Sequence, residues 1–373
     1  MKITRVEAIY VRQPEVKFQC DSGQDALIIK VETDAGITGI GEVDSNPLGA
    51  KGIIEGPFSH TTAAGLASLV VGEDPFETER LWHKMYRGNI YGGRRGVGFH
   101  AMSGIDMALW DIKGKALGLP VWKLLGGGFH QKIRCYASSL FGPTPRETGE
   151  LARRYRDQGF TAVKFGWDPM GQDEQTDIGL VREARKGLGE GPDLMIDAGL
   201  VWDSKTALQR AIAFAEHKIF WLEEPLRPDD YEGYRKLAEM TPVRIAAGEE
   251  ESSRLAFLEL MDRGRVDVVQ VDLTRCGGFT EAVKIAALAW DRGLPVANHG
   301  FTTYINVTAA LHWLNSIPNA LICEFVAEEE TNLRESLTRQ KLRAKGGYLE
   351  VPQEPGLGIE LDEEAVARFR VGS

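Results

Sequence analysis

Two hydrophobic periods alternate along most of this chain. From about residue 133, short apolar runs with strand character recur: IRCYASS, TAVKFG, DLMIDA, IFWLEE, VRIAAGE, VDVVQVD, PVANHG and ALICEF. Between them lie amphipathic segments of helical period, such as TALQRAIAFAEH and TEAVKIAALAWDRG. Eight strands separated by helices predict an α/β protein built on a parallel (β/α)8-type barrel. The first forty residues read differently, as an antiparallel meander in which ALIIKVET turns through DAG into ITGIGEV. Helical periodicity follows over 60–71, 75–87 and 98–117. In the last of these, Ala101, Ile105, Ala108, Leu109, Ile112 and Ala116 share a face, and Gly118 with Pro120 stops it. The tail from about residue 345 has no barrel strand left to pair with and is expected to fold back on the N-terminal layer. The expected division is an α+β capping domain over 1–128, a barrel over 129–340 and a returning segment over 341–373.

Composition narrows the function classes. Across 373 residues, 44 basic against 54 acidic side chains leave a net charge of −10, with no basic run, which argues against nucleic acid as a partner. The four cysteines (Cys20, Cys135, Cys276, Cys323) show no CxxC spacing and suit a reducing compartment. The opening MKITRVEAIYVRQPEV is charged and alternating, unlike a signal peptide, and no apolar run approaches the ~20 residues of a membrane span. A cytoplasmic protein with no membrane partner is expected.

The chemistry lies at the strand ends. Asp197 in MIDAG, Glu223 in WLEEP and Glu249 in AAGEE are 26 residues apart each time, Asp272 follows 23 later and His299 27 after that. One βα unit takes about this length, so successive strands deliver these side chains to one rim, where barrel enzymes hold their active sites. Three carboxylates with no histidine or cysteine among them suit a hard cation, Mg²⁺ or Mn²⁺ rather than Zn²⁺. Spacing alone does not choose within Glu223-Glu224 or Glu249-Glu250-Glu251, since Glu224 and Glu250 are also 26 apart. Asp272, one strand before His299, is placed to hold one ring nitrogen and leave the other free for a proton.

These pieces resemble the enolase superfamily, specifically its mandelate racemase-like subgroup. The resemblance rests on SGIDMALWDIKGKALGLPVWKLLGG, the Asp197/Glu223/Glu249 series, EEP, VDLTRCGG, ANHG and the closing PGLG, which span nearly the whole chain. It implies that the ligands are the first Glu of EEP and the Glu directly after the Gly, hence Glu223 and Glu249, with one Mg²⁺ per subunit. It also implies abstraction of the proton α to a carboxylate, with the enediolate stabilised on the metal. Glu324 in ICEF, 25 residues beyond His299, matches the acid that hydrogen-bonds the substrate carboxylate. Homo-oligomers are usual in the family, so a dimer or a dimer-based assembly such as an octamer is expected.

One departure from the family pattern matters. Where members often carry Lys-x-Lys at the end of the second barrel strand, the second lysine being a base on the opposite face, this chain reads Lys164-Phe165-Gly166. Gly166 leaves space there rather than a base. A two-base racemase is therefore disfavoured, and β-elimination, where His299 serves both steps, is favoured. The expectation is a lyase: a Mg²⁺-dependent acid sugar dehydratase acting on an aldonate or aldarate to give a 2-keto-3-deoxy acid. Lys164 is then expected as a cation facing the substrate carboxylate; the alternative is a racemase, epimerase or cycloisomerase with Lys164 as second base. Segments 16–24 and 44–58, rich in turn formers, are expected as lid loops. Tyr91, Arg94 and Arg95 in a glycine-rich basic stretch, together with Trp167, are candidate substrate contacts.

Overall fold

The computed structural model describes residues 1–18, 23–327 and 332–372. Cys20 and the middle of the 16–24 segment lie outside them. The N-terminal layer is an antiparallel sheet of β1 (Ile3–Arg12), β2 (Asp25–Thr33) and β3 (Thr38–Val43), with β2 central. Helix Val97–Leu117 packs on this sheet so closely that Gly41 lies against the backbone of Gly104, where a Cβ would come within 2.0 Å of its carbonyl oxygen.

Two local expectations are corrected here. Within 44–58 the chain forms a helix, Pro47–Glu55, capped by the Asn46 side chain and burying Pro47, Ala50 and Ile54. The proline that suggested a loop sits in the first turn, where its missing N–H costs nothing. Within 60–71, only Leu66–Val70 is helical, while His60 and Ala63 pair as an isolated bridge.

Eight parallel strands then close a barrel. They are β4 (Lys132–Leu140), β5 (Ala162–Gly166), β6 (Asp193–Asp197), β7 (Ile219–Glu223), β8 (Arg244–Ala247), β9 (Val268–Val271), β10 (Val296–Asn298) and β11 (Ala320–Val326), and Cys323 pairs with Cys135 to join β11 to β4. The tail does find a barrel partner: β12 (Tyr348–Glu350) adds antiparallel to β4. It then returns to the N-terminal layer, where Leu357 N–H donates to Asp111 Oδ1 (2.8 Å) and Val371 N–H to the Tyr10 carbonyl (3.0 Å).

The barrel interior explains where the chemistry falls. One residue from each strand forms a closed apolar layer: Tyr136, Ala162, Met195, Trp221, Ala246, Val268, Ala297 and Ile322. Side chains two apart on a strand share a face. The next inward positions are therefore Ser138, Lys164, Asp197, Glu223, Gly248, Gln270, His299 and Glu324, a polar ring on an apolar floor. No helix among the described residues is long and apolar enough to cross a membrane.

Candidate active site

Asp197, Glu223 and Glu249 each place a carboxylate oxygen within 4.8 Å of the other two, and all three are buried. The adjacent acids diverge. Glu224 turns aside to accept from Gly248 N–H (2.9 Å), Glu250 is exposed, and Glu251 accepts from the Tyr231 hydroxyl (3.0 Å). Glu249 reaches the trio although it is out of phase with the inward positions, because Gly248 at φ 133° redirects the chain.

Glu223 accepts from Trp221 Nε1 (2.9 Å) and from the Lys164 ammonium, and Asp197 accepts from Gly199 N–H (2.9 Å). Burial, reinforced by the neighbouring acids and only partly offset by Lys164, pushes Asp197 up to about 6 and Glu223 up to about 7. Glu249 is raised as well, again chiefly by burial. Three converging, under-compensated carboxylates fit a hard divalent cation.

Across the mouth, His299 Nδ1 lies 2.7 Å from Asp272 Oδ2, while Nε2 lies 3.6 Å from Glu249 Oε1. Asp272 is held in turn by Thr274, whose backbone N–H (2.7 Å) and hydroxyl (2.6 Å) donate to Oδ1. Burial works against charge on both partners. The neighbouring Glu249 and the Asp272 bond nonetheless push His299 up to about 10, and the imidazole holds Asp272 down at about 2.

Lys164 joins these halves. Its ammonium donates to Glu324 Oε1 (3.0 Å), contacts Glu223 and lies 3.6 Å from Asp197 Oδ2. Glu324 also accepts from Ser138 Oγ and from Gly300 N–H (2.8 Å each). Burial alone would raise Glu324, but Lys164 outweighs it and holds the carboxyl at about 2. Gly166 does not leave space, contrary to expectation. It pairs in register with Asp197, and a Cβ there would lie 2.8 Å from Asp197 Cβ and 3.0 Å from its Oδ2.

Lys164, Asp197, Glu249, His299 and Glu324 line a cavity of about 370 Å³, with Trp167, Arg275 and Phe301 among its other walls, while Glu223 and Asp272 lie behind it. Of the four candidate substrate contacts, Trp167 is present at this mouth. Arg94 and Arg95 instead line a separate cleft of about 530 Å³ between the two layers, and Tyr91 is exposed with its ring edge-on to His60. The basic glycine-rich stretch sits at the cap–barrel seam, which its sequence did not reveal. Trp202 packs on Phe214 in the core. Sequence reasoning missed Arg275, Ser138 and Trp221. Arg275 stood in the VDLTRCGG run, Trp221 lies one inward step before Glu223, and Ser138 lies one inward step after Tyr136, the strand partner of Glu324.

The match to known proteins is consistent across the chain. Residues 3–126 match the mandelate racemase / muconate lactonizing enzyme N-terminal domain, and residues 147–365 the enolase C-terminal domain-like family. D-galactarolactone cycloisomerase of Agrobacterium fabrum is 32% identical over 92% of this chain and 91% of its own length. L-rhamnonate dehydratase of Saccharopolyspora erythraea is also 32% identical, over 92% of this chain and 84% of its own. The crystal structure of the 3,6-anhydro-D-galactonate cycloisomerase from Zobellia galactanivorans covers all of both chains at 33% identity with a TM-score of 0.90. This chain is therefore a member of the enolase superfamily, in its mandelate racemase-like subgroup.

Proposed function

We propose that the protein is a Mg²⁺-dependent acid sugar dehydratase of the lyase class, acting on an aldonate or aldarate. The observation that carries this reading is the asymmetry of the mouth. Among the described residues, its cavity holds a single imidazole, fixed at Nδ1 by Asp272, and its one lysine is engaged by three carboxylates.

Asp197, Glu223 and Glu249 would hold the cation, which when bound supplies positive charge against the developing enediolate. Asp272 fixes the Nδ1–H tautomer, and because Glu249 is the chief influence raising the imidazole against burial, Glu249 engaged with a cation would leave His299 Nε2 free to take the α-proton. The electrons of that C–H bond form the double bond between Cα and the carboxyl carbon, and then shift to Cα–Cβ as the β C–O bond breaks. The imidazolium then returns its proton to the departing oxygen, releasing water. The enol tautomerises to a 2-keto-3-deoxy acid. Lys164, held in place by Glu324, would orient the substrate carboxylate, and Trp167 walls the outer cavity. A homo-oligomeric, cytoplasmic enzyme is part of the same proposal.

The test is a panel of aldonates and aldarates incubated with enzyme and Mg²⁺, with 2-keto-3-deoxy acid read as semicarbazone absorbance. Turnover of one member supports the reading, and a blank with cation binding confirmed overturns it. The cycloisomerase names of two relatives favour one second reading, in which the substrate is a lactone or anhydro acid and Lys164 acts as a second base. Adding such cyclic acids to the panel separates the two.

A further inference from the structure

The capping sheet sends two acids into the barrel, and both end beside the same pair. Glu42 on β3 and Asp44 just past its end are two residues apart, and both are buried. Glu42 Oε2 accepts from the Thr303 hydroxyl (2.6 Å) and from Asn306 N–H (3.0 Å), at the start of helix Tyr304–Asn315. That helix follows His299 after four residues, and its Asn306 Nδ2 donates to Asp272 Oδ1 (3.4 Å). Asp44 Oδ2 accepts from Arg275 Nη2 (2.8 Å). Arg275 is itself buried, reaches the Glu249 carbonyl with Nη1 (3.2 Å) and lies with Nε 3.8 Å from Asp272 Oδ2. Asp272 is thus flanked by Asn306 on one oxygen and Arg275 on the other, each tied to the capping domain.

We propose that Glu42 and Asp44 are positioning residues for the Asp272–His299 pair, Glu42 through Thr303 and Asn306, and Asp44 through Arg275. A carboxyl with both oxygens used would be simple interdomain glue. Glu42 Oε1 is instead buried without a hydrogen-bond partner among the described residues, and burial pushes this group up to about 8, so it serves as a neutral acceptor facing one direction. A neutral carboxyl sitting at a helix start contributes orientation rather than charge. The inference rests on His299 being the proton acceptor.

The test uses the full chain labelled with ¹⁵N-histidine, reading the hydrogen-bonded Nδ1 proton of His299 by NMR, with His299→Asn to assign it. Glu42→Ala and Asp44→Asn are expected to shift that resonance upfield and speed its exchange. On the substrate found in the panel, they are expected to lower kcat by about 10²-fold with KM little changed, the size of a small misplacement. Glu42→Gln, which keeps a neutral acceptor, is expected to match wild type in both. An unmoved resonance in Glu42→Ala and Asp44→Asn, with only the melting temperature lowered, overturns the proposal, and a response in one variant alone overturns it for the silent residue. Should Glu42→Ala not fold, Thr303→Val removes the hydroxyl bond to Glu42 from the barrel side, and Asn306→Ala removes the Nδ2 contact through which that helix start reaches Asp272. If His299→Asn keeps turnover, the base assignment fails, while the resonance still decides whether the capping acids orient the ring.

Discussion

Gly166 lies so close to Asp197 on the adjacent strand that a single added carbon would fall 2.8 Å from Asp197 Cβ. The glycine therefore makes room for a carboxylate rather than marking a lost base. Gly166→Ala should weaken Mn²⁺ or Mg²⁺ binding by about 10- to 100-fold through displacement of Asp197, the range seen when a ligand loses its support. Gly166→Lys should bind no better and should not confer α-proton exchange on the opposite face. Calorimetric titration with the cation alone checks the first claim, and undiminished affinity would refute it.

Replacing His299 with Asn should cost on the order of 10²–10⁴ in kcat, the usual contribution of a general acid–base group, with cation affinity retained. Asp272→Asn should approach the same loss, because the amide would present a donor to Nδ1 and favour the wrong tautomer. Steady-state kinetics with parallel Mn²⁺ titration separates these effects from loss of the metal.

Glu223→Gln should abolish measurable cation binding while leaving helicity and expression intact. Its floor, the layer of Tyr136, Met195 and Trp221, packs without it. The change also removes negative charge from a buried cluster that has too much of it. Collapse of the circular dichroism signal would show that Glu223 is needed for the fold instead.

Lys164 distinguishes the two enzymatic readings. If it only orients the substrate carboxylate, Lys164→Met should raise KM and lower kcat, yet leave His299-dependent exchange of the α-proton with D₂O detectable. If it is a second base, exchange from one face should vanish altogether. Mass spectrometry of recovered substrate reads the difference.

His312 gives a pH dependence away from the active site. Its Nε2 lies 3.0 Å from the Leu357 carbonyl and its Nδ1 accepts from Trp122 N–H (3.3 Å), which fixes a neutral ring. Burial depresses it to about 4, against 6.5 when exposed, despite the Leu357 bond. A depressed histidine contributes stability that is complete above pH 6.5 and is lost as pH falls toward 4, here about 3 kcal/mol. Urea unfolding at pH 7 and pH 5 should show the decline, and His312→Gln should flatten that part of it.

Much of this was legible in the chain because the barrel repeats. All eight apolar runs became strands, and the parity of each run places Asp197, Glu223 and His299 one inward step above the floor. Glu249 is the exception. Its outward phase is reversed by the backbone at Gly248, so only resemblance to relatives could select it over Glu250. The loop expected over 44–58 contains a helix instead, because its proline sits in a first turn where the missing N–H costs nothing. Arg94 and Arg95 could not be placed because the seam they line is made by two distant parts of the chain. The same is true of Glu42 and Asp44, whose partners lie more than 200 residues away.

The crowding of acids at the mouth also has a thermodynamic side. Asp197 and Glu223 end neighbouring strands, Glu249 follows the next, and the three repel one another in the folded chain, whereas an unfolded chain would keep them apart in water. A cation that binds only the folded form then acts as a folding ligand, adding about 2.7 kcal/mol when present at 100 times its Kd. Melting curves recorded across a series of divalent ions should thus rank their affinities before any substrate is known, and the ranking should disappear in Glu223→Gln.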